Sequence, residues 1–186
     1  MSSTDKRALR QAVRASSGGA DARSRESVLI CNHVRMWQVY REAAVVVGYA
    51  PLPWEADITP LLADALSAGK TLLLPRMEGE RRMTLRRVSR MDELLINRWH
   101  VPEPPEGAEI VPVEAADLLL VPLEAVDAEG MRLGKGGGYY DALLAGARTF
   151  TLGVALSWQR VERVPREPWD QPLRALVDSE GITLFK

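Results

Sequence analysis

The sequence predicts an α/β fold with a mainly parallel sheet covered on both faces by helices. Three observations predict it. Runs rich in valine and leucine at 43–49, 71–74, 116–121 and 150–156 are apolar throughout rather than alternating, as strands buried on both faces are. Segments with helical spacing lie between them. Glycine or proline closes most of the runs. The chain has 186 residues, enough for a sizeable core. No internal repeat, low-complexity tract or linker divides it, so residues 1–186 read as a single domain.

The elements follow in order. Thr4 or Asp5 caps a first helix, in which Ala8, Leu9, Ala12 and Val13 recur at helical spacing and which Gly18 and Gly19 end. A second helix runs from about Asp21 to Gln38, with Val28, Leu29, Cys31, Val34 and Met36 as its apolar positions. Ala43 to Tyr49 is a buried strand. Ile58 to Ala68 is a helix with Thr59 as cap, Pro60 at its first position and Gly69 as its stop. Thr71 to Leu74 is a second buried strand, and residues 83–88 form a further strand in a hairpin. Residues 101–114 carry four prolines and read as an extended surface loop. Ala116 to Val121 is a third buried strand, Tyr139 to Ala147 a helix, and Phe150 to Leu156 a fourth buried strand. Ala175 to Val177 and Ile182 to Phe185 complete the pattern.

Composition excludes several classes of function. A formal net charge of −1 gives no whole-chain attraction to nucleic acid or membrane, so an anion site must come from local clustering. One cysteine, Cys31, permits no internal disulfide. No apolar run approaches the roughly 18–20 residues that span a bilayer. The first ten residues have charges without an apolar region after them, unlike a secretory signal. A cytoplasmic enzyme is the expectation.

The chemistry concentrates in residues 130–141, Gly-Met-Arg-Leu-Gly-Lys-Gly-Gly-Gly-Tyr-Tyr-Asp, between a strand and a helix. Ligands of open α/β sheets bind outside the carboxyl ends of strands. Gly134, Gly136, Gly137 and Gly138 let the backbone approach an anion and take positive φ, with N–H groups pointing inward. The following helix adds its dipole. Arg132 and Lys135 add charge, and Asp141 offers oxygen to a magnesium ion. A dinucleotide fingerprint would need glycine at 139, where Tyr139 stands, and a Walker loop would need Ser or Thr after Lys135, where Gly136 stands. A flexible surface loop would gain nothing from two cations, two tyrosines and an acid.

The run Val121-Pro122, Asp127, Gly130 and Arg132-Leu133-Gly134-Lys135-Gly136-Gly137-Gly138-Tyr139-Tyr140-Asp141 resembles the signature of the 5-formyltetrahydrofolate cyclo-ligase family. Three further segments extend the resemblance over nearly the whole chain. Lys6, Arg10 and Arg14 share one helix face, and Lys6 and Arg10 match the family's basic first helix. The loop Tyr49 to Glu55 is similar to the one whose glutamate holds the pterin ring. Glu167-Pro168-Trp169-Asp170 is similar to a late motif in which His usually precedes the Asp. Trp169 departs from that motif, as does Val126, where the family usually has Phe; a smaller Val126 would widen or reshape the folate pocket. Trp54 reads as core cover in preference to a platform stacked on a ligand ring.

The resemblance implies a three-layer α/β/α sandwich. It also implies conversion of 5-formyltetrahydrofolate to 5,10-methenyltetrahydrofolate with ATP and Mg²⁺ through a phosphorylated formyl group. The ATP site would comprise Lys6, Arg10, Arg132, Leu133, Gly134, Lys135, Gly136, Gly137, Gly138, Tyr139 and Tyr140. The folate site would comprise Ala50, Glu55, Tyr139 and Tyr140. Arg132, Lys135 and Tyr140 would assist the reaction, and Asp141 and Asp170 would hold the metal. A monomer without membrane or nucleic-acid partners is expected. The alternative is a divergent member that binds nucleotide or folate without turnover. The arginines at 81, 82, 86, 87 and 90 suit a solvated strand pair, a patch for a polyglutamate tail, or RNA. Cys31, His33 and His100 read as structural.

Overall fold

A computed structural model describes residues 3–79, 81–145, 147–167 and 170–186. The chain runs through α1 (Ser3–Ala15), α2 (Gly19–Met36), α3 (Gln38–Glu42), β1 (Val45–Val47), α4 (Thr59–Ser67), β2 (Thr71–Gly79) and β3 (Arg82–Val88). It continues through β4 (Leu95–Ile96), β5 (Pro102–Glu103), β6 (Leu118–Pro122), β7 (Ala125–Val126), β8 (Arg132–Leu133), α5 (Tyr139–Leu144), β9 (Phe150–Val154), β10 (Ala175–Asp178) and β11 (Gly181–Leu184).

The central sheet has the order β11-β10-β9-β6-β1-β2-β3. Its inner pairings are parallel, while β11 and β3 return antiparallel at the two edges. The fold is therefore the α/β class that the sequence predicts. Successive residues of each inner strand face opposite layers. Leu72, Leu74, Leu118 and Leu120 pack with Ile30, Val34, Leu61 and Leu62 of α2 and α4. Leu73, Leu119 and Val121 pack on the other face with Leu144 of α5. Helices thus cover both faces.

Local readings needed correction where packing outweighs pattern. Asp5 lies inside the first turn of α1, so it complements the helix dipole rather than capping the end, and the Thr4 side chain lies outside the described residues. Gly18 and Gly19 open α2 instead of ending α1. Helix α2 stops at Met36, and α3 follows after Trp37 takes an extended conformation. Its buried positions are Ser27, Ile30, Cys31 and Val34, while Val28, Leu29 and Met36 face outward. Ile58 precedes α4, and the capping oxygen is Oδ1 of Asp57, which accepts the Thr59 N–H at 2.9 Å. Strand β2 runs five residues past Leu74, because β3 pairs with it along nearly its whole length. The 101–114 loop is pinned by β5 and by a bridge from Ile110 to Arg86.

The chain places β2 on one side of β1 and then crosses to β6 on the other. The two loops leaving β1 and β6 at their carboxyl ends therefore diverge around a crevice, the usual ligand position in such sheets. The loop after β1 carries Glu55. The segment after β6 forms the β7–β8 hairpin and then the glycine-rich loop. Helix α1 lies on that hairpin, with Leu9 and Val13 against Ala125, Met131 and Leu133.

Candidate active site

The hairpin before the glycine-rich loop is built by Asp127. Its Oδ1 accepts the N–H groups of Glu129 and Met131 at 3.0 Å each, and its Oδ2 accepts that of Val164 at 3.1 Å. This acid orders a turn and is not aimed at a ligand. Leu133 is buried beside Val13 and Met131, so its side chain serves packing. Val126 is buried with Leu123, Leu144 and Leu173, so its volume bears on the core and not on an open pocket wall.

Two glycines of the loop take the left-handed backbone, Gly136 at φ 100° and Gly138 at φ 68°. Gly134 and Gly137 do not. Gly137 is needed for space, since a Cβ there would lie 2.7 Å from the Tyr139 ring. Helix α5 has only six residues, so the dipole expected of it is small. The tip of the β2–β3 hairpin closes on the loop: the Tyr139 hydroxyl donates to the Gly79 carbonyl at 3.0 Å. The Arg81 side chain, on that tip, lies beside Gly138.

Lys6 and Arg10 of α1 reach this region. Lys6 Nζ donates to Asp170 Oδ2 at 2.7 Å and to Glu167 Oε2 at 2.9 Å. Burial pulls the Lys6 ammonium down, but these hydrogen bonds outweigh it and hold it above its ordinary pKa. Arg10 Nε donates to the Gly134 carbonyl at 2.8 Å. Arg132 is buried; its Nη1 donates to the Gln171 carbonyl and its Nη2 to Asp141 Oδ1, both at 2.6 Å. Asp141 and Asp170 thus each face a cation of the chain. Trp169 lies outside the described residues.

The sequence assigned Lys135 and Glu55 to different ligands, and the structure brings them together. Lys135 Nζ lies 2.5 Å from Glu55 Oε1. The Glu55 side chain is 3% exposed and the Lys135 side chain 41%. Glu55 Oε2 accepts the Leu52 N–H at 2.8 Å. Oε1 is buried and accepts no well-directed hydrogen bond among the described residues, so the ammonium neutralises it without satisfying it. Ala50, in the same loop, is half-buried. Burial and then the Glu55 charge push the Tyr140 hydroxyl well above its ordinary pKa, with Arg132 pulling it partly back. The same two causes raise Tyr49, a member of this cluster that the sequence did not reveal. Both tyrosines stay protonated at physiological pH, and the Tyr49 hydroxyl donates to the Ala56 carbonyl at 3.2 Å.

Elsewhere, Trp54 is 49% exposed and lies under the Arg14 guanidinium, so it is not core cover. Arg86 is buried, held by Glu78 at 2.7 Å and by the carbonyls of Glu106 and Ala108. Arg87 and Arg90 pair with Glu109 and Asp92. Arg86, Arg87 and Arg90 of the arginine patch are thus paired within the chain. Cys31 is buried, and His33 contacts the Ser179 carbonyl.

A sequence model of the 5-formyltetrahydrofolate cyclo-ligase family matches residues 2–178. The chain belongs to that family. The 5-formyltetrahydrofolate cyclo-ligase of Escherichia coli K12 is 34% identical over 146 residues, covering 75% of this chain and 80% of that protein. A probable 5-formyltetrahydrofolate cyclo-ligase of Schizosaccharomyces pombe is 30% identical, covering 84% and 85%. The solution structure of Aquifex aeolicus 5,10-methenyltetrahydrofolate synthetase superposes with a TM-score of 0.87 at 34% identity, over 97% of this chain and 93% of that one. The Mycoplasma pneumoniae synthetase, at 19% identity and a TM-score of 0.76, shares the fold. Within the family's frame, the glycine-rich loop, the Glu55 loop and the basic face of α1 converge on one crevice.

Proposed function

We propose that this cyclo-ligase family member converts 5-formyltetrahydrofolate and ATP to 5,10-methenyltetrahydrofolate, ADP and phosphate. The observation that carries this reading is the Lys135–Glu55 pair. It joins the loop suited to phosphates with the loop suited to the pterin. Each member is a partner that a ligand can replace: an N–H pair of the pterin for the unsatisfied Glu55 oxygen, and a phosphoryl oxygen for Lys135.

The formyl oxygen on N5 is a poor leaving group. It attacks the γ-phosphorus of ATP and ADP departs. N10 then adds to the activated carbon, the C–O bond breaks with loss of phosphate, and N10 gives up its proton. The protein's task is to align two ligands and to balance charge on the transferring group. Lys135 and Arg132 supply that balance. Arg10 and Lys6 hold the polyphosphate, the loop from Gly134 to Gly138 lets it approach the backbone, and Tyr139 and Tyr140 border both ligands. Tyr140, held neutral, donates a hydrogen bond and cannot act as a base near pH 7.

No group of three or more His, Cys, Asp or Glu side chains forms a ready-made metal cage among the described residues. A magnesium ion carried in by ATP needs no such cage, since Mg²⁺ keeps most of its waters and takes one or two carboxylates, which would exchange a paired cation for it. Asp141 and Asp170 would hold it, and it would neutralise charge on the β- and γ-phosphates. The protein acts as a cytoplasmic monomer in this reading, and no helix among the described residues is long and apolar enough to cross a membrane.

The test mixes purified protein with 5-formyltetrahydrofolate, Mg²⁺ and ATP and follows methenyltetrahydrofolate absorbance. ATP-dependent product supports the reading. ATP binding without product overturns it in favour of a non-catalytic family member.

A further inference from the structure

Glu124 stands among buried apolar residues between β6 and β7, and its side chain is 4% exposed. A buried carboxylate is costly unless a charge partner meets it with good geometry. Arg14 does so, donating from Nη2 to Oε1 at 2.8 Å and from Nε to Oε2 at 3.1 Å. The Glu124 backbone N–H donates to the Leu133 carbonyl at 2.8 Å. The next residue is Gly134, whose carbonyl accepts Arg10. Arg10 and Arg14 lie one turn apart on α1 and repel each other. Burial lowers the pKa of Arg10, Glu124 opposes that fall, and Arg14 adds to it. The Arg14 guanidinium also lies 5.8 Å from the Trp54 ring centroid, one residue from Glu55.

We infer that Glu124 is a positioning residue for ATP. Through Arg14 it fixes the basic face of α1, and through its own main chain it fixes the strand that opens the glycine-rich loop. Arg10, one turn away on the same face, is thereby held at the loop. Glu124 touches neither ligand. The inference rests on the assignment of the glycine-rich loop to ATP. Lys6 stays latched to Asp170 and Glu167 at the other end of α1, so loss of Glu124 loosens the face without detaching the helix.

The test measures ATP-dependent turnover and melting for wild type, Glu124→Gln, Arg14→Met, Arg14→Lys and the double variant Glu124→Gln/Arg14→Met. Glu124→Gln and Arg14→Met should each raise KM for ATP by about tenfold, the size of one charge-assisted hydrogen bond weakened at a phosphate. Their kcat should stay within about twofold. The double variant should be no worse than either single one, because both remove the same pair. Arg14→Lys should recover part of the loss. Arg14→Met strands the buried Glu124 carboxylate, whereas the double variant strands no charge and leaves no buried acid, so the double variant gives the answer even if Arg14→Met does not fold. An active wild type with unchanged KM for ATP in Arg14→Met overturns the inference alone, as does a drop in kcat that merely tracks melting. A wild type that turns over without ATP overturns the ATP assignment and the inference with it.

Discussion

Replacing Lys135 with methionine keeps most of the unbranched side chain and removes its charge from Glu55. At 2.5 Å the gross attraction is about 1.7 kcal/mol in water and about 6.6 kcal/mol at an effective dielectric of about 20. Lys135 is 41% exposed, which weights the figure toward water, while the 3% exposed Glu55 carboxylate loses its countercharge. A destabilisation of about 2 kcal/mol results, which lowers the melting temperature of a chain this size by about 4–8 °C. Adding Glu55→Gln removes the stranded charge and should restore most of that loss. Turnover should fall about 100- to 1,000-fold in Lys135→Met, because a cation aimed at the transferring phosphoryl group is gone. Differential scanning fluorimetry and the methenyl absorbance assay read the two effects. Wild-type melting in Lys135→Met, or turnover within about threefold of wild type, would refute the reasoning.

Gly138→Ala forces an L side chain into the left-handed region at φ 68°, which costs about 1–2 kcal/mol, so lower melting and weaker ATP binding by calorimetry are expected. At high pH two effects add. Lys6 sits above its ordinary 10.5, so its latch is fully present below that value and is lost as pH rises through the higher folded one. Tyr49 and Tyr140 resist ionisation while the unfolded chain ionises near 10, so stability falls from about that pH upward. Urea unfolding and tyrosinate absorbance followed against pH check both. In acid, Glu78 is held below its ordinary 4.5, first by the Arg86 hydrogen bond and then by Thr84. That contribution is present above pH 4.5 and lost as pH falls through the folded value; Glu78→Gln should flatten this part of the acid-unfolding curve.

The parallel strands were legible because burial on both faces leaves an unbroken apolar run, and Leu72 to Leu74 or Leu118 to Leu120 admit few other readings. Helix α2 was not, because Val28, Leu29 and Met36 are apolar yet face outward, and Ser27 is polar yet buried, donating to the Arg23 carbonyl. Tertiary contacts, not periodicity, chose its inner face. The glycine-rich loop was legible as a local motif. The meeting of Lys135 with Glu55 and the clasp of Arg14 on Glu124 join residues 80 and 110 positions apart, and no spacing rule reaches that far. A signal for Glu124 did exist: an acid inside Val121 to Val126 demands a buried cation.

Lys6 faces Asp170 and Glu167, Arg132 faces Asp141 and Lys135 faces Glu55, so four acids stand against these three cations with Arg10 and Arg81 beside them. The crevice therefore presents dipoles to solvent and little net positive potential, and a dipole's field fades well inside the Debye length of about 8–10 Å. An approaching polyanion feels almost no long-range pull. Nucleotide capture should then proceed at about 10⁵–10⁷ M⁻¹s⁻¹ with a shallow dependence on ionic strength, unlike sites that gather their ligands by steering. Selection is deferred to close range, where only a molecule that can exchange partners with several internal pairs at once gains a foothold. Long flexible polyanions, which rely on diffuse attraction, pass such a surface by.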